Sequence, residues 1–299
     1  MLKPPLERPG QQLRDLMSKD TVLLPGVFNA ISALSAKKAG AKALYLSGAG
    51  VTNAELAVPD IALLTLTEMA ETAARACQVS QLPVIADADT GYGETINVQR
   101  TIIEMERAGL AGVHIEDQVS PKRCGHLEGK AVIEPKDMAK KIRAATDSKR
   151  DKTFLIIART DARGVEGIEK AIERAKLYAD HGADAIFPEG LHNEQEFEQF
   201  RKAIKTPLLA NMTEFGKTEI IRFGRFRELG YNLVIFPMAA FRVMLRAIDE
   251  AYEELISTGT QSGLLGRMRT RNELYELIEY DAYNALDNGW SERVERGSA

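Results

Sequence analysis

Two cysteines in 299 residues, Cys77 and Cys124, are too few for a disulfide framework, so each is a packed or a reactive thiol. No window approaches the roughly 18–20 uninterrupted apolar residues of a membrane span. The opening MLKPPLERPGQQLRDLM lacks the apolar core of a signal peptide. The expectation is a cytoplasmic protein with no membrane contact. Neither sign of charge is in marked excess: 39 Lys plus Arg against 43 Asp plus Glu leave a formal net charge of −4. A pI near 5.8 without a block of like charges gives no electrostatic footprint for nucleic acid. What is present, 44% hydrophobic and 27% charged residues, is ordinary globular composition, and the length admits one large domain or two small ones.

From Thr21 onward, short β-branched apolar runs alternate with longer segments of helical period. The expected strands are Val22–Phe28, Ala43–Ser47, Pro83–Asp87, Gly112–Glu116, Phe154–Thr160, Ala185–Phe187, Pro207–Asn211 and Leu233–Phe236. The expected helices are Ile31–Ala39, Leu66–Gln78, Thr95–Arg107, Pro135–Thr146, Gly167–His181, Glu194–Ala203, Thr218–Leu229 and Ala239–Ser257. Gly40, Gly109, Gly182 and Gly230 follow four of these helices, where a left-handed cap suits a residue without Cβ. Eight β/α units in about 240 residues match a closed (β/α)8 barrel of the TIM type. A doubly wound sheet would more often carry a Gly-rich phosphate fingerprint after its first strand. No compositional linker interrupts the chain, so 1–299 is expected to be one barrel domain, with its core at about 21–257 and a helical appendage at about 258–299.

Active sites of such barrels lie at the C-terminal ends of the strands. The third strand runs into Asp87 and Asp89, which alternation places on one side. Two carboxylates in one small space either hold a hard cation such as Mg²⁺ or Mn²⁺ or form a solvated turn, and the strand-end position favours the metal. Glu116, ending the fourth strand, and Asp60 are candidates to reach that ion through water, whereas His114 reads as a hydrogen-bonded interior residue. Arg159 ends the fifth strand and implies an anion; a structural ion pair with Glu189 is the other reading, and the two are compatible. Asn211, Met212 and Thr213 follow the seventh strand, and Arg242 and Arg271 are further cationic candidates. In the loop after the fourth strand, Cys124 sits among Lys122, Arg123 and His126, which would favour the thiolate and suit a proton donor and acceptor; an exposed basic loop with an incidental thiol is the alternative. Cys77, within a helical run, reads as core filler.

These motifs resemble the isocitrate lyase and phosphoenolpyruvate mutase superfamily, and within it the short 2-methylisocitrate lyases. The carrying segments are SGAG (Ser47–Gly50) with VPD (Val58–Asp60), ADADTGYG (Ala86–Gly93), HIEDQ (His114–Gln118), KRCGHLEGK (Lys122–Lys130), ARTDA (Ala158–Ala162), Pro188 with Glu189, NMTE (Asn211–Glu214) and TRNELY (Thr270–Tyr275). The resemblance implies a barrel whose eighth helix is exchanged between subunits of a homotetramer, with Mg²⁺ at Asp87 and Asp89. It also implies substrate contacts at Ser47, Gly48, Ala49, Cys124, Gly125, His126, Arg159, Glu189, Asn211, Met212, Thr213, Arg242 and Arg271. Ala49 and Arg123 depart from the family's frequent Gly and Lys.

The implied activity is Mg²⁺-dependent cleavage of a tricarboxylate, 2-methylisocitrate, to pyruvate and succinate, a step of propionate breakdown through the methylcitrate cycle. Isocitrate lyases carry an insertion this chain lacks, and Phe187, Ile235 and Pro237 match the apolar pocket for the extra methyl, whose burial is worth about 0.8 kcal/mol. Cys124 would act as an acid, with Arg159 and His126 stabilising the charge on the succinate half; Tyr45 and a Glu116-linked water are candidates for the base. Isocitrate or dimethylmalate lyases, oxaloacetate decarboxylases and phosphonopyruvate-processing enzymes are the enzymatic alternatives, and the KRCGH loop speaks against the last two. A carboxylate-binding barrel without turnover is the non-enzymatic one. A Schiff-base aldolase needs a lysine near a strand end inside the barrel, and no expected strand carries one.

Overall fold

The computed structural model describes residues 4–123, 125 and 129–295, with side chains as far as 291. Eight strands form one parallel sheet: β1 (Val22–Val27), β2 (Leu44–Leu46), β3 (Val84–Asp87), β4 (Gly112–Glu116), β5 (Leu155–Thr160), β6 (Ala185–Pro188), β7 (Leu209–Asn211) and β8 (Leu233–Phe236). Their order, β6-β5-β4-β3-β2-β1-β8-β7, is that of a rolled sheet. It closes through a parallel bridge between Ile186 and Leu208, with the Ile186 N–H donating to the Pro207 carbonyl at 2.9 Å. The expected barrel is therefore present, with each strand within two residues of its expected bounds.

Alternation along the strands explains how one barrel supports both a core and a site. Leu24, Tyr45, Ile85, Leu155, Ile157 and Phe187 belong to the buried cluster that fills the barrel. Two residues further along the same strands the inward series turns polar, to Asp87 on β3 and Arg159 on β5, both buried. Parallel register then sets neighbours: Asp87 lies beside His114, Glu116 beside Arg159, and Arg159 beside Phe187. The four cap glycines have positive φ, from 80° to 105°, as their positions require.

Of the helical segments that differ from expectation, two bear on the barrel. A helix over Pro9–Lys19 precedes β1 and buries Leu13 in the barrel cluster, a burial worth about 1.5–3 kcal/mol. Gly10 makes this docking possible, since a Cβ there would lie 2.5 Å from the Thr153 carbonyl oxygen. The helix expected over Thr218–Leu229 spans only Phe223–Leu229. The preceding residues bond elsewhere: the Thr218 hydroxyl donates to the Leu191 carbonyl at 2.6 Å and the Glu219 N–H to the His192 carbonyl at 3.0 Å.

The contact pattern divides the chain into two compact units, one over Pro5–Phe241 and the other comprising the extreme N-terminus and Arg242 onward. The second unit contains most of the helix Ala239–Thr258, a short 3-10 turn at Ser262–Arg267, and helices Arg271–Leu277 and Tyr280–Glu295. Thr270 and Glu273 form a capping box at the start of the first of those last two helices. Among the described residues no helix is long and apolar enough to cross a membrane.

Candidate active site

The turn after β3 bends sharply at Asp89, whose φ is 45°, and its N–H donates to Asp87 Oδ1 at 2.9 Å. Both carboxylates are buried, at 5% and 6% exposure. Lys122, from the loop after β4, reaches into this acid cluster: Nζ lies 2.5 Å from Asp60 Oδ1 and 3.0 Å from Asp89 Oδ1. Sequence reasoning gave Lys122 to the cysteine; the structure gives it to the carboxylates. Burial pushes Asp89 up to about 7, against the pull of Lys122 and with Asp87 and Asp60 adding to the rise.

His114 is the interior residue expected of it. Tyr45 Oη and His114 Nε2 are 2.9 Å apart, and burial pushes the imidazole down to about 4, so it is neutral at pH 7. Burial, with Asp87 adding, also holds the Tyr45 hydroxyl well above its usual range, so it remains a donor. Nε2 then accepts from Tyr45, which leaves the proton on Nδ1, 3.7 Å from Asp87 Oδ1. Burial lifts Glu116 far above the ordinary carboxylate range, with Arg159 opposing and Asp161 and Asp87 adding.

Arg159 is surrounded by three carboxylates. Its Nε stands 2.9 Å from Asp161 Oδ2 and 3.3 Å from Glu116 Oε2, and Nη1 stands 3.4 Å from Glu189 Oε2. The expected Arg159–Glu189 pair exists, but Asp161, which sequence reasoning passed over, is the nearer partner. Phe187 supports the guanidinium from below, its ring centroid 5.1 Å from Cζ. Glu189 is held in turn by Asn211 Nδ2 at 3.1 Å and by the Gly190 N–H at 2.8 Å. Asn211 Oδ1 is left buried without a hydrogen-bond partner, an acceptor at the mouth of the barrel. Gly125 packs against this group so closely that a Cβ would lie 2.4 Å from Glu189 Cγ and 2.6 Å from Arg159 Nη2.

Ser47 caps the short turn Gly48–Val51, its hydroxyl oxygen accepting from the Gly50 N–H at 3.1 Å, with Ala49 half-buried in that turn. Met212 is turned aside: its sulfur accepts the Ile221 N–H at 3.4 Å. Thr213 is half-buried beside it. Arg242 and Arg271 belong to the second compact unit, where both are exposed. Cys124 and His126 lie outside the described residues. Two features of their loop were missed because their partners come from other parts of the chain or from a side chain read as incidental. The Gln118 amide clamps the Arg123 backbone, accepting from its N–H at 2.9 Å and donating to its carbonyl at 2.8 Å. Lys130 Nζ lies 2.7 Å from Asp161 Oδ1.

The donor set suits a divalent cation. Among the described residues, Asp60, Asp87, Asp89, Glu116, Asp161 and Glu189 meet Lys122, Arg159 and Lys130, six acids to three cations. Both Glu116 oxygens are buried without a hydrogen bond, and Asp89 Oδ1 lacks an aligned one despite its nearness to Lys122. Among the described residues no three His, Cys, Asp or Glu side chains form a ready cluster.

A family model described as phosphoenolpyruvate phosphomutase matches residues 13–256. A protein named 2-methylisocitrate lyase from Aeropyrum pernix is 53% identical over 99% of this chain and 95% of its own length. A crystal structure of 2,3-dimethylmalate lyase superposes with a TM-score of 0.89 at 35% identity, covering 96% of each chain. A crystal structure of phosphonopyruvate hydrolase in complex with oxalate and Mg²⁺ superposes with a TM-score of 0.85 at 26% identity, covering 94% of this chain and 98% of that one.

Proposed function

The chain belongs to the phosphoenolpyruvate phosphomutase family, and on that premise we propose that it is a carbon–carbon lyase cleaving 2-methylisocitrate to pyruvate and succinate. The observation that carries this reading is the meeting, at one barrel mouth, of an acid cluster short of cations with a buried guanidinium pressed against Gly125. Asp87 and Asp89 would hold Mg²⁺ or Mn²⁺ directly, with Glu116 and Asp60 reaching it through water. Such an ion supplies Lewis-acid stabilisation of negative charge on the substrate's hydroxyl and neighbouring carboxylate.

The chain's own groups account for the remaining steps. The bond between the hydroxyl-bearing carbon and its succinate-forming neighbour breaks, and the electron pair passes to the succinate half as the hydroxyl proton passes to a base, for which a Glu116-linked water is the candidate. Arg159 faces that developing charge from a water-poor site, where a fixed donor is worth far more than in water. Asn211 Oδ1 offers an acceptor to a hydroxyl or a protonated carboxyl. Cys124 would deliver the proton that completes succinate, with His126 assisting, and Ser47, Gly48 and Ala49 would contribute substrate contacts. Phe187, Ile235 and Pro237 are buried, as an apolar floor for one methyl group requires.

The test is pyruvate release from 2-methylisocitrate, with glyoxylate release from isocitrate and cleavage of 2,3-dimethylmalate run alongside, each with Mg²⁺ and with chelator, in wild type and Cys124→Ser. Metal-dependent, Cys124-dependent turnover preferring the methylated tricarboxylate is expected. Silence on that substrate with turnover of another overturns the assignment.

The same premise extends to assembly as a homotetramer. The helix Ala239–Thr258 leaves Val243 and Ile256 at 72% and 85% exposure, with Tyr252 and Leu245 also exposed, more large apolar surface than a solvated helix carries. Arg242 and Arg271 would then act across subunits. Light scattering that returns a monomer at micromolar concentration would reject the assembly.

A further inference from the structure

Asp161 is shared unevenly between two cations. Its Oδ2 takes Arg159 Nε at 2.9 Å, whereas its Oδ1 lies 3.4 Å from Arg159 Nη2 and 2.7 Å from Lys130 Nζ. Lys130 Nζ also donates to the Gly125 carbonyl at 2.5 Å. Both side chains are buried, Lys130 at 4% and Asp161 at 0% exposure. The Asp161 backbone is fixed independently, its N–H donating to Asp117 Oδ1 at 2.9 Å, so its carboxylate turns on a stationary hinge.

Left to itself, an aspartate beside an arginine closes on it with both oxygens, the strongest form of the pair. Here Lys130 shares the second oxygen at 2.7 Å, and the contact of that oxygen with Nη2 is stretched to 3.4 Å. We propose that Lys130 is a positioning residue for substrate binding: it limits the Arg159–Asp161 pair to one strong bond through Nε and leaves Nη2 turned toward Gly125 for a substrate carboxylate. The contact at Gly125 bears on this, since a Cβ there would lie 2.6 Å from Nη2, which places that donor directly against the backbone whose carbonyl Lys130 holds. Charge acts in the same direction. Removing Lys130 leaves Glu116, Asp161 and Glu189 around one guanidinium, and their surplus repels an anion. The inference rests on the reading that Arg159 binds a carboxylate of the substrate.

The variants are Lys130→Met and Lys130→Arg, read by KM and kcat on 2-methylisocitrate and by calorimetric titration with succinate. Lys130→Met is expected to raise KM and weaken succinate by about tenfold or more, the loss of one charge-assisted bond, with kcat changed far less. Lys130→Arg should recover most of that loss. Because a structural defect would also lower activity, the Lys130→Met penalty is measured again with Asp161→Asn already present. It should shrink, since the competing carboxylate charge is gone. An unchanged KM and succinate affinity in Lys130→Met, or an equal penalty in the Asp161→Asn background, overturns the proposal. Failure of the lyase reading shows separately, as absent turnover in wild type, while succinate titration still tests Lys130.

Discussion

Gly48 lies directly against the carboxylate of Asp87: a Cβ at residue 48 would stand 2.6 Å from Oδ2 and 2.9 Å from Cγ. The glycine of the Ser47–Gly50 motif thus serves the acid cluster through a missing side chain. Gly48→Ala must displace Asp87, and half-saturation by Mg²⁺ is expected to shift upward by about tenfold, the loss of one well-placed ligand interaction. Gly224, in the helix Phe223–Leu229, is the control. A Cβ there meets nothing within 4 Å, and Gly224→Ala should leave the metal titration unchanged and stabilise by about 0.4–1 kcal/mol. Equal Mg²⁺ titrations for the two variants would reject the steric argument.

Lys122 lies between Asp60 and Asp89, and its side chain is 3% exposed. Breaking a buried ion pair from one side costs about 3–5 kcal/mol, because the remaining charge is stranded. Lys122→Met should therefore lower the melting temperature of the chelated protein clearly, and saturating Mg²⁺ should recover more of that loss than it adds to wild type. Thermal scans of both proteins with and without chelator decide the matter. Equal Mg²⁺ increments would mean that Lys122 does not share the charge of the metal site.

Strand positions were legible because the signals are local: two-residue alternation, and glycines such as Gly40 and Gly230 just past helix ends. Asp87, Asp89, Glu116 and Arg159 were found from the same periodicity, since a polar residue at the end of an apolar strand is conspicuous. What escaped depends on contacts distant in sequence. Lys122 meets Asp60 across 62 residues, and Lys130 meets Asp161 across 31. No spacing rule links residues that far apart. The helix Pro9–Lys19 escaped for the same reason, as its docking needs Gly10 against Thr153. Residues 218–221 carry apolar spacing, but a hydroxyl and an N–H there bond to Leu191 and His192 instead.

Asp117 supplies a pH dependence of stability. Burial, with Asp161 adding, pushes its carboxyl up to about 6, although it accepts from Thr160, Tyr178 and the Asp161 N–H. The folded state therefore holds this proton more tightly than the unfolded state, whose value is near 3.8. The proton's stabilising effect is complete below about 3.8 and is lost as pH rises to about 6, by about 3 kcal/mol at most. Asp117→Asn lacks this dependence. The stability of wild type relative to Asp117→Asn should fall between pH 4 and pH 7, measured as the difference in urea midpoints. A constant difference across that range would show that the carboxyl titrates normally.

Cys77 offers a test of the same sign on a thiol. It sits in the helix Leu66–Ser80 at 3% exposure, and burial pushes its pKa from 9.0 up to about 12. At pH 8 its thiolate fraction is then about 1 in 10⁴, against about 1 in 10 for a thiol at 9. Iodoacetamide at that pH should leave Cys77 unmodified in the native protein and label it fully in urea, as peptide mass spectrometry will show. Ionisation favours the unfolded chain here, so this thiol's contribution to stability is intact below pH 9 and declines as pH rises toward 12. Cys77→Ala should flatten that alkaline decline while costing little at pH 7. Native labelling of Cys77 at pH 8, or an alkaline limb unaltered in Cys77→Ala, would contradict the buried, neutral thiol.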